Sequence, residues 1–307
     1  MRLHRLPSPG MRRRQLSGWH CRRRTIGQPF MGHRNAAAGS NCHAPQPVRA
    51  IAAGALVFAI CAVVGSEAVS RVRAEGALPD GLVYLRDVDP SITQDMRYAG
   101  SNNFVGRPLD GYGAAECILR KDVAAALARV QMDLAASGLA LKVYDCYRPL
   151  RAVRTMAQWA NDGRSGGPTK RFYPRLQKNV LFGLGYIASH SAHSTGNTVD
   201  LTLVQVPPPS TPTFDPAAAY GPCTGPTAQR SPDTSIDMGT GYDCFDAVSS
   251  TASTGITAEQ RRRRTQLVAA MGKRGFANYH REWWHFSYGN RGPSYDVPIR
   301  PRPARAP

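Results

Sequence analysis

Acidic residues are scarce in this 307-residue chain: 21 Asp and Glu stand against 39 Lys and Arg, for a formal net charge of +18. The shortage is uneven. Residues 1–74 hold twelve Arg and one acidic side chain, Glu67, so +11 of the charge lies there and the remainder is only mildly basic. That distribution argues against a nucleic-acid-binding body. The Arg runs at 12–14 and 22–24 lie in Pro/Ser/Gly/His-rich sequence without apolar periodicity, so residues 1–49 read as a basic disordered extension. No apolar run reaches the roughly 20 residues of a membrane span. The longest, residues 50–65, has sixteen and suits the hydrophobic region of an export signal. No two cysteines have C-x-x-C spacing, which excludes a cysteine-rich zinc cluster. No internal repeat occurs, and no strand-to-helix nucleophile elbow of the serine hydrolases is apparent.

Residues 50–74 are therefore expected to be a signal peptide and its cleavage region, an uncleaved anchor being the second reading. Export leads to the periplasm or the exterior, where thiols oxidise. Four of the seven cysteines, Cys117, Cys146, Cys223 and Cys244, then remain in the body. Of three possible pairings, Cys117 with Cys146 and Cys223 with Cys244 close moderate loops, each stabilising by ~3 kcal/mol in the chain-entropy model. Four buried free thiols are the alternative.

The body, with 42% hydrophobic residues over the whole chain, is large enough for a substantial core. A short alternating strand begins at Gly81. Residues 96–112 are polar, aromatic and turn-rich, a loop that borders a pocket with Tyr98 and Tyr112 rather than a piece of core. Leu119, Val123, Leu127, Val130 and Leu134 form one stripe of an amphipathic helix ending at Gly138. Residues 139–145 alternate as a strand, and Pro149 opens a helix over 150–161, which leaves Arg148 at a strand-to-helix junction. Residues 206–232, rich in Pro, Thr and Ala, read as a surface insertion tied down by Cys223 and Cys244. Thr257 and Gln260 spell a capping box that starts a helix through Lys273, with Leu267, Val268 and Met271 facing inward and the 261–264 arginines solvated. The Pro/Arg-rich tail, residues 299–307, is expected to fray.

Two short stretches carry the chemistry. In residues 191–203, His193 and Asp200 are separated by six residues, joined through a Gly-Asn turn signal that runs into a β-branched strand. In residues 282–285, Glu-Trp-Trp-His adds a second imidazole and a second carboxylate. Two imidazoles and two carboxylates suit an open zinc site, in which three side chains hold the metal, water takes the fourth position and the last carboxylate moves a proton. Glu282, three residues before His285, suits the general base. Arg148 suits stabilisation of an oxyanion.

These residues resemble a known family. The runs Ser191-x-His193-x6-Asp200-Leu201-Thr202, Glu282-Trp283-Trp284-His285, Asp145-Cys146-Tyr147-Arg148-Pro149 and Asn103-Phe104-x-Gly106-x-Pro108-x-Asp110-Gly111-Tyr112 occur together, in order along the chain, in the zinc D-alanyl-D-alanine dipeptidases of the VanX type. The resemblance covers a catalytic domain at residues 78–298. It implies a single α+β domain of the zinc DD-peptidase (hedgehog/DD-peptidase-like) fold, an antiparallel sheet flanked by helices. It further implies one zinc ion on His193, Asp200 and His285, Glu282 as base and Arg148 steadying the tetrahedral intermediate. Tyr98, Ser191 and Asp243 would hold the two ends of a D-Ala-D-Ala dipeptide. Other readings remain: a zinc DD- or LD-carboxypeptidase acting on peptidoglycan stems, a wall-binding module with a structural metal, and nucleic-acid binding through the N-terminal arginines.

Overall fold

A computed structural model describes residues 78–210 and 212–304. The extension and signal expected over residues 1–74 lie outside the described residues.

The chain runs β1 (Leu82–Tyr84), α1 (Leu85–Val88), β2 (Thr93–Gln94), β3 (Ile118–Arg120), α2 (Lys121–Ala135), β4 (Leu139–Asp145), α3 (Leu150–Ala160), β5 (Thr198–Gln205), α4 (Ala258–Lys273), β6 (Phe276–Asn278) and β7 (His285–Tyr288). β1 and β3 form a two-stranded sheet, and the others a five-stranded sheet in the order β2-β4-β5-β7-β6. This is the expected α+β arrangement, with one refinement. Neighbours among β4, β5, β7 and β6 are antiparallel, but β2 joins the β4 edge in parallel.

The predicted helices form where their periodicity places them, except that Leu119, expected to open the first stripe, lies in β3. The stripe Val123, Leu127, Val130 and Leu134 of α2 is buried, as are Leu267 and Met271 of α4, and both pack on Leu141, Val143, Leu201 and Leu203 of the central strands. Gly138 stops the first helix region with a positive φ of 65°. The capping box at Thr257 is complete, with both reciprocal hydrogen bonds made. Arg264 departs from the solvated face expected of residues 261–264. It is buried, and donates to the carbonyls of Met238, Val248 and Ser250, so it staples the loop between β5 and α4.

Residues 96–112 correct a second expectation. Tyr98, Phe104, Leu109 and Tyr112 join α3 and Phe245 in a second apolar cluster. A polar loop can enter the core because Asn103 satisfies it internally. Its amide donates to the carbonyls of Arg97, Gly100 and Arg107, and its Oδ1 accepts from the N–H groups of Val105 and Gly106. The tail is corrected as well. Ile299 is fully buried and exchanges backbone hydrogen bonds with Gly111 and Gly113, while Arg302 pairs with Asp87. The chain is thus held beyond residue 298.

The insertion over residues 206–232 is largely exposed and rejoins the sheet at Asp233, which takes Arg97, Lys142 and Tyr144. Gly163 to Gly167 spells G-x-S-x-G but follows α3 in a loop, so it makes no nucleophile elbow. Among the described residues no helix is long and apolar enough to cross a membrane.

Both expected disulfides are present, Cys117–Cys146 across 29 residues and Cys223–Cys244 across 21. The first ties the segment entering β3 to the end of β4. Replacing Cys117 and Cys146 together by Ala is expected to cost about 3–4 kcal/mol of folding stability. Urea denaturation measures it, and an unchanged midpoint would show that the bridge constrains nothing the fold needs.

Candidate metal centre and its cavity

His193, Asp200 and His285 meet at one end of the five-stranded sheet, where β4 ends and β5 and β7 begin. Register brings them together. Asp200 of β5 stands opposite His285 of β7 on one side and Asp145 of β4 on the other, so three site residues lie in one row across three strands. His193 reaches the row from the 3-10 turn Ala192–Thr195. Gly196 then takes the left-handed conformation, and a Cβ there would lie 2.7 Å from Leu82. Asn197 locks the reversal by accepting from Thr195 and Thr198 and donating to the carbonyls of Tyr288 and Asn290.

Three ligand atoms converge. Asp200 Oδ1 lies 3.3 Å from His193 Nε2 and 3.0 Å from His285 Nδ1, and the two nitrogens are 3.3 Å apart. Tetrahedral zinc with bonds of about 2.0–2.1 Å sets its ligand atoms roughly 3.3–3.4 Å apart, close to this triangle. Asp200 Oδ1 is buried and accepts no hydrogen bond, an orphaned anionic oxygen that a cation would satisfy. His193 Nδ1 lies 2.7 Å from the Cys146 carbonyl. A carbonyl only accepts, so Nδ1 carries the proton and Nε2 offers its lone pair inward. Burial, with help from His193 and Arg148, holds His285 below the usual imidazole value despite Asp200. Burial pushes Asp200 up, but the adjacent imidazoles outweigh it and hold the carboxyl well below its ordinary range. Both shifts favour the unprotonated forms of His285 and Asp200, the forms that bind a divalent cation.

Glu282 sits in the turn between β6 and β7, its Oε2 3.6 Å from His285 Nδ1. Trp283 and Trp284, both buried, fix the turn, and Asn278 donates to the carbonyls of Glu282 and His285. Burial above all, then the charges of Asp200 and Asp243, raises the Glu282 pKa well above its ordinary value, with Arg148 opposing. Arg148 is clamped by Asp145, with Nε at 2.9 Å and one Nη at 2.7 Å from Oδ2, and its guanidinium lies over the Tyr98 ring.

These residues line a cavity of about 260 Å3, together with Ser191, Asp243, His190, Tyr186, Tyr279 and Arg291. Tyr98 donates to Asp243 at 2.8 Å. Asp243 is the sole non-glycine residue with positive φ among the described residues, at 56°, and burial followed by Asp200 raises its pKa strongly. Tyr112 is a correction. It does not line the cavity; its hydroxyl donates to Asp145 Oδ1 at 2.6 Å, behind Arg148.

A family model described as D-ala-D-ala dipeptidase matches residues 79–209 and 205–301. The chain belongs to this peptidase family. A D-alanyl-D-alanine dipeptidase of Enterococcus faecalis is 32% identical over 209 residues, 68% of this chain and 92% of that protein. One of Streptomyces coelicolor is 33% identical over 204 residues, 66% of this chain and 89% of that protein. One of Escherichia coli is 29% identical over 205 residues, 67% and 83% respectively. Membership of the dipeptidase family makes this chain an enzyme by descent.

Two residues of the site were given no role by the sequence reading. Asp145, fully buried, joins Tyr112, Arg148 and His193, whose Nδ1 is 3.3 Å away. Its signal was its place at the end of a strand beside Arg148. Tyr242, which donates to Asp200 Oδ2 at 2.9 Å, had none beyond adjacency to Asp243.

A carboxyl held above its ordinary pKa keeps its proton longer in the folded chain than in the unfolded one. It therefore costs stability as pH rises through the ordinary carboxyl range and costs nothing below it. Metal-free Glu282→Gln protein is expected to be more stable than wild type at neutral pH, the difference vanishing in acid. Denaturant midpoints at both pH values measure this, and equal midpoints at neutral pH would contradict the account of Glu282.

Proposed function

We propose that the chain is a zinc-dependent dipeptidase that hydrolyses D-alanyl-D-alanine to two D-alanines. The observation that carries the reading is one small cavity enclosing the His193/Asp200/His285 triangle, Glu282 and Arg148 together. At about 260 Å3 it is below the roughly 300–1,000 Å3 of ordinary small-molecule sites, which favours a dipeptide over a peptidoglycan stem.

His193, Asp200 and His285 would hold the zinc. The bound ion would acidify water and polarise the scissile carbonyl. Glu282 takes the proton of the attacking water and returns it to the leaving amine. Its raised pKa needs a neighbouring cation to fall, which couples its basicity to occupancy of the ligand set. Arg148, already oriented by Asp145, stabilises the developing oxyanion. Asp243 and Tyr98 receive the substrate ammonium, and the Ser191 hydroxyl the carboxylate end.

We place the enzyme in the periplasm or outside the cell, where it recovers D-alanine from wall-derived dipeptide. Two disulfides and the apolar run at residues 50–65 support that location. The related reading, a DD- or LD-carboxypeptidase, differs in substrate size.

Alanine release from D-Ala-D-Ala and from a stem pentapeptide, with and without chelator, tests the proposal. Chelator-sensitive release from the free dipeptide, with little from the pentapeptide, is the expected result; the reverse preference would assign the carboxypeptidase reading. Glu282→Gln should retain one zinc per chain yet lose about 10²–10⁴-fold in kcat. Full turnover in that variant would remove Glu282 as the base.

A further inference from the structure

The hydroxyl of Tyr242 stands where the ligand triangle meets the pair expected to hold the substrate ammonium. It donates to Asp200 Oδ2 at 2.9 Å and lies 3.4 Å from the Tyr98 hydroxyl, which donates to Asp243 at 2.8 Å. Each phenol has a single proton, and in this arrangement both are committed to carboxylates.

The two oxygens of Asp200 are thereby made unequal. Oδ2 takes the Tyr242 hydroxyl, with an Arg148 Nη 3.8 Å away. Oδ1 accepts no hydrogen bond and faces both imidazoles. A carboxylate free at both oxygens can turn about its Cβ–Cγ bond, or bind a cation through both. One fixed at Oδ2 presents Oδ1 alone.

We propose that Tyr242 is a positioning residue for Asp200: its hydroxyl holds Oδ2 and aims Oδ1 at a divalent cation shared with His193 and His285. The proposal rests on the reading that this triangle holds a metal, and extends it to a residue outside the ligand set. The simpler role, satisfying a buried carboxylate, predicts a loss of stability alone. The ring is held independently of its hydroxyl. It stacks on Tyr144 at 4.4 Å and 16°, and meets Trp284 edge-on at 5.6 Å. Tyr242→Phe therefore removes one oxygen and leaves the packing in place.

The test is carried out on the full chain with Tyr242→Phe and, as control, Tyr144→Phe, whose lost hydroxyl bonds Asp233 rather than the site. Zinc affinity is measured by competition with a chromophoric chelator, and the ligand field by visible absorption of the cobalt(II)-substituted protein. Tyr242→Phe is expected to bind zinc roughly 10–100-fold more weakly, the usual cost of losing a hydrogen bond to a metal ligand, with altered cobalt bands. Tyr144→Phe should match wild type in both. Unchanged affinity and unchanged bands in Tyr242→Phe would overturn the proposal. So would a fall in turnover alone, which would place the hydroxyl on the substrate side through Tyr98. A wild type that binds zinc yet leaves D-Ala-D-Ala intact would refute the proposed substrate, while the zinc comparison would still decide the role of Tyr242.

Discussion

The site depends on one electrostatic constraint, the burial of Asp200 Oδ1 between two imidazoles with no hydrogen bond to satisfy it. An anionic oxygen out of water is costly unless a positive charge is near. Here the surroundings add further carboxyls, since Asp243 and Glu282 are buried in the wall of the same cavity and Asp145 is buried behind it, clamping Arg148. Such a collection of carboxylates is poorly balanced without a further cation. Burial above all, with the charge of Asp200 adding to it, holds the Glu282 and Asp243 carboxyls high. Stability is thus given up at the end of the sheet where chemistry is proposed.

The rest of the molecule makes that arrangement rigid. β4 and β5 are buried almost throughout, so their register cannot slip without exposing apolar side chains. Register in turn sets Asp145, Asp200 and His285 in one row. The Cys117–Cys146 bridge closes the end of β4, whose Cys146 carbonyl fixes the His193 tautomer. The Cys223–Cys244 bridge sits beside Asp243 and anchors the insertion. Arg264 supports the same loop through three carbonyls. The covalent supports therefore reach residues next to the site, while hydrogen bonds from Cys146, Asp145 and Tyr242 hold His193, Arg148 and Asp200 themselves.

How much of this the sequence disclosed depended on whether the signal was local. The stripe of α2 from Val123 onward, the capping box of α4 and the Gly196-Asn197 reversal are local patterns, and each formed at its expected place. The ligand triangle was legible because His193, Asp200 and His285 lie in two short stretches with a recognisable chemistry. Burial of Tyr98, Phe104, Leu109 and Tyr112 was not legible, since the polar composition around them argues for a surface loop and the internal hydrogen bonds of Asn103 appear only in three dimensions. Tyr112 was misplaced because proximity in sequence to the pocket loop does not say which way a ring points. Tyr242 acts through Asp200, 42 positions away, and Asp145 through Tyr112 and His193, 33 and 48 positions away, and no spacing rule links them.

Zinc-edge anomalous diffraction from zinc-loaded crystals tests the central claim most directly. One peak per chain, bounded by Asp200 Oδ1, His193 Nε2 and His285 Nδ1 with Glu282 beside it, is the predicted result. A peak elsewhere in the chain, with this triangle empty, would contradict it.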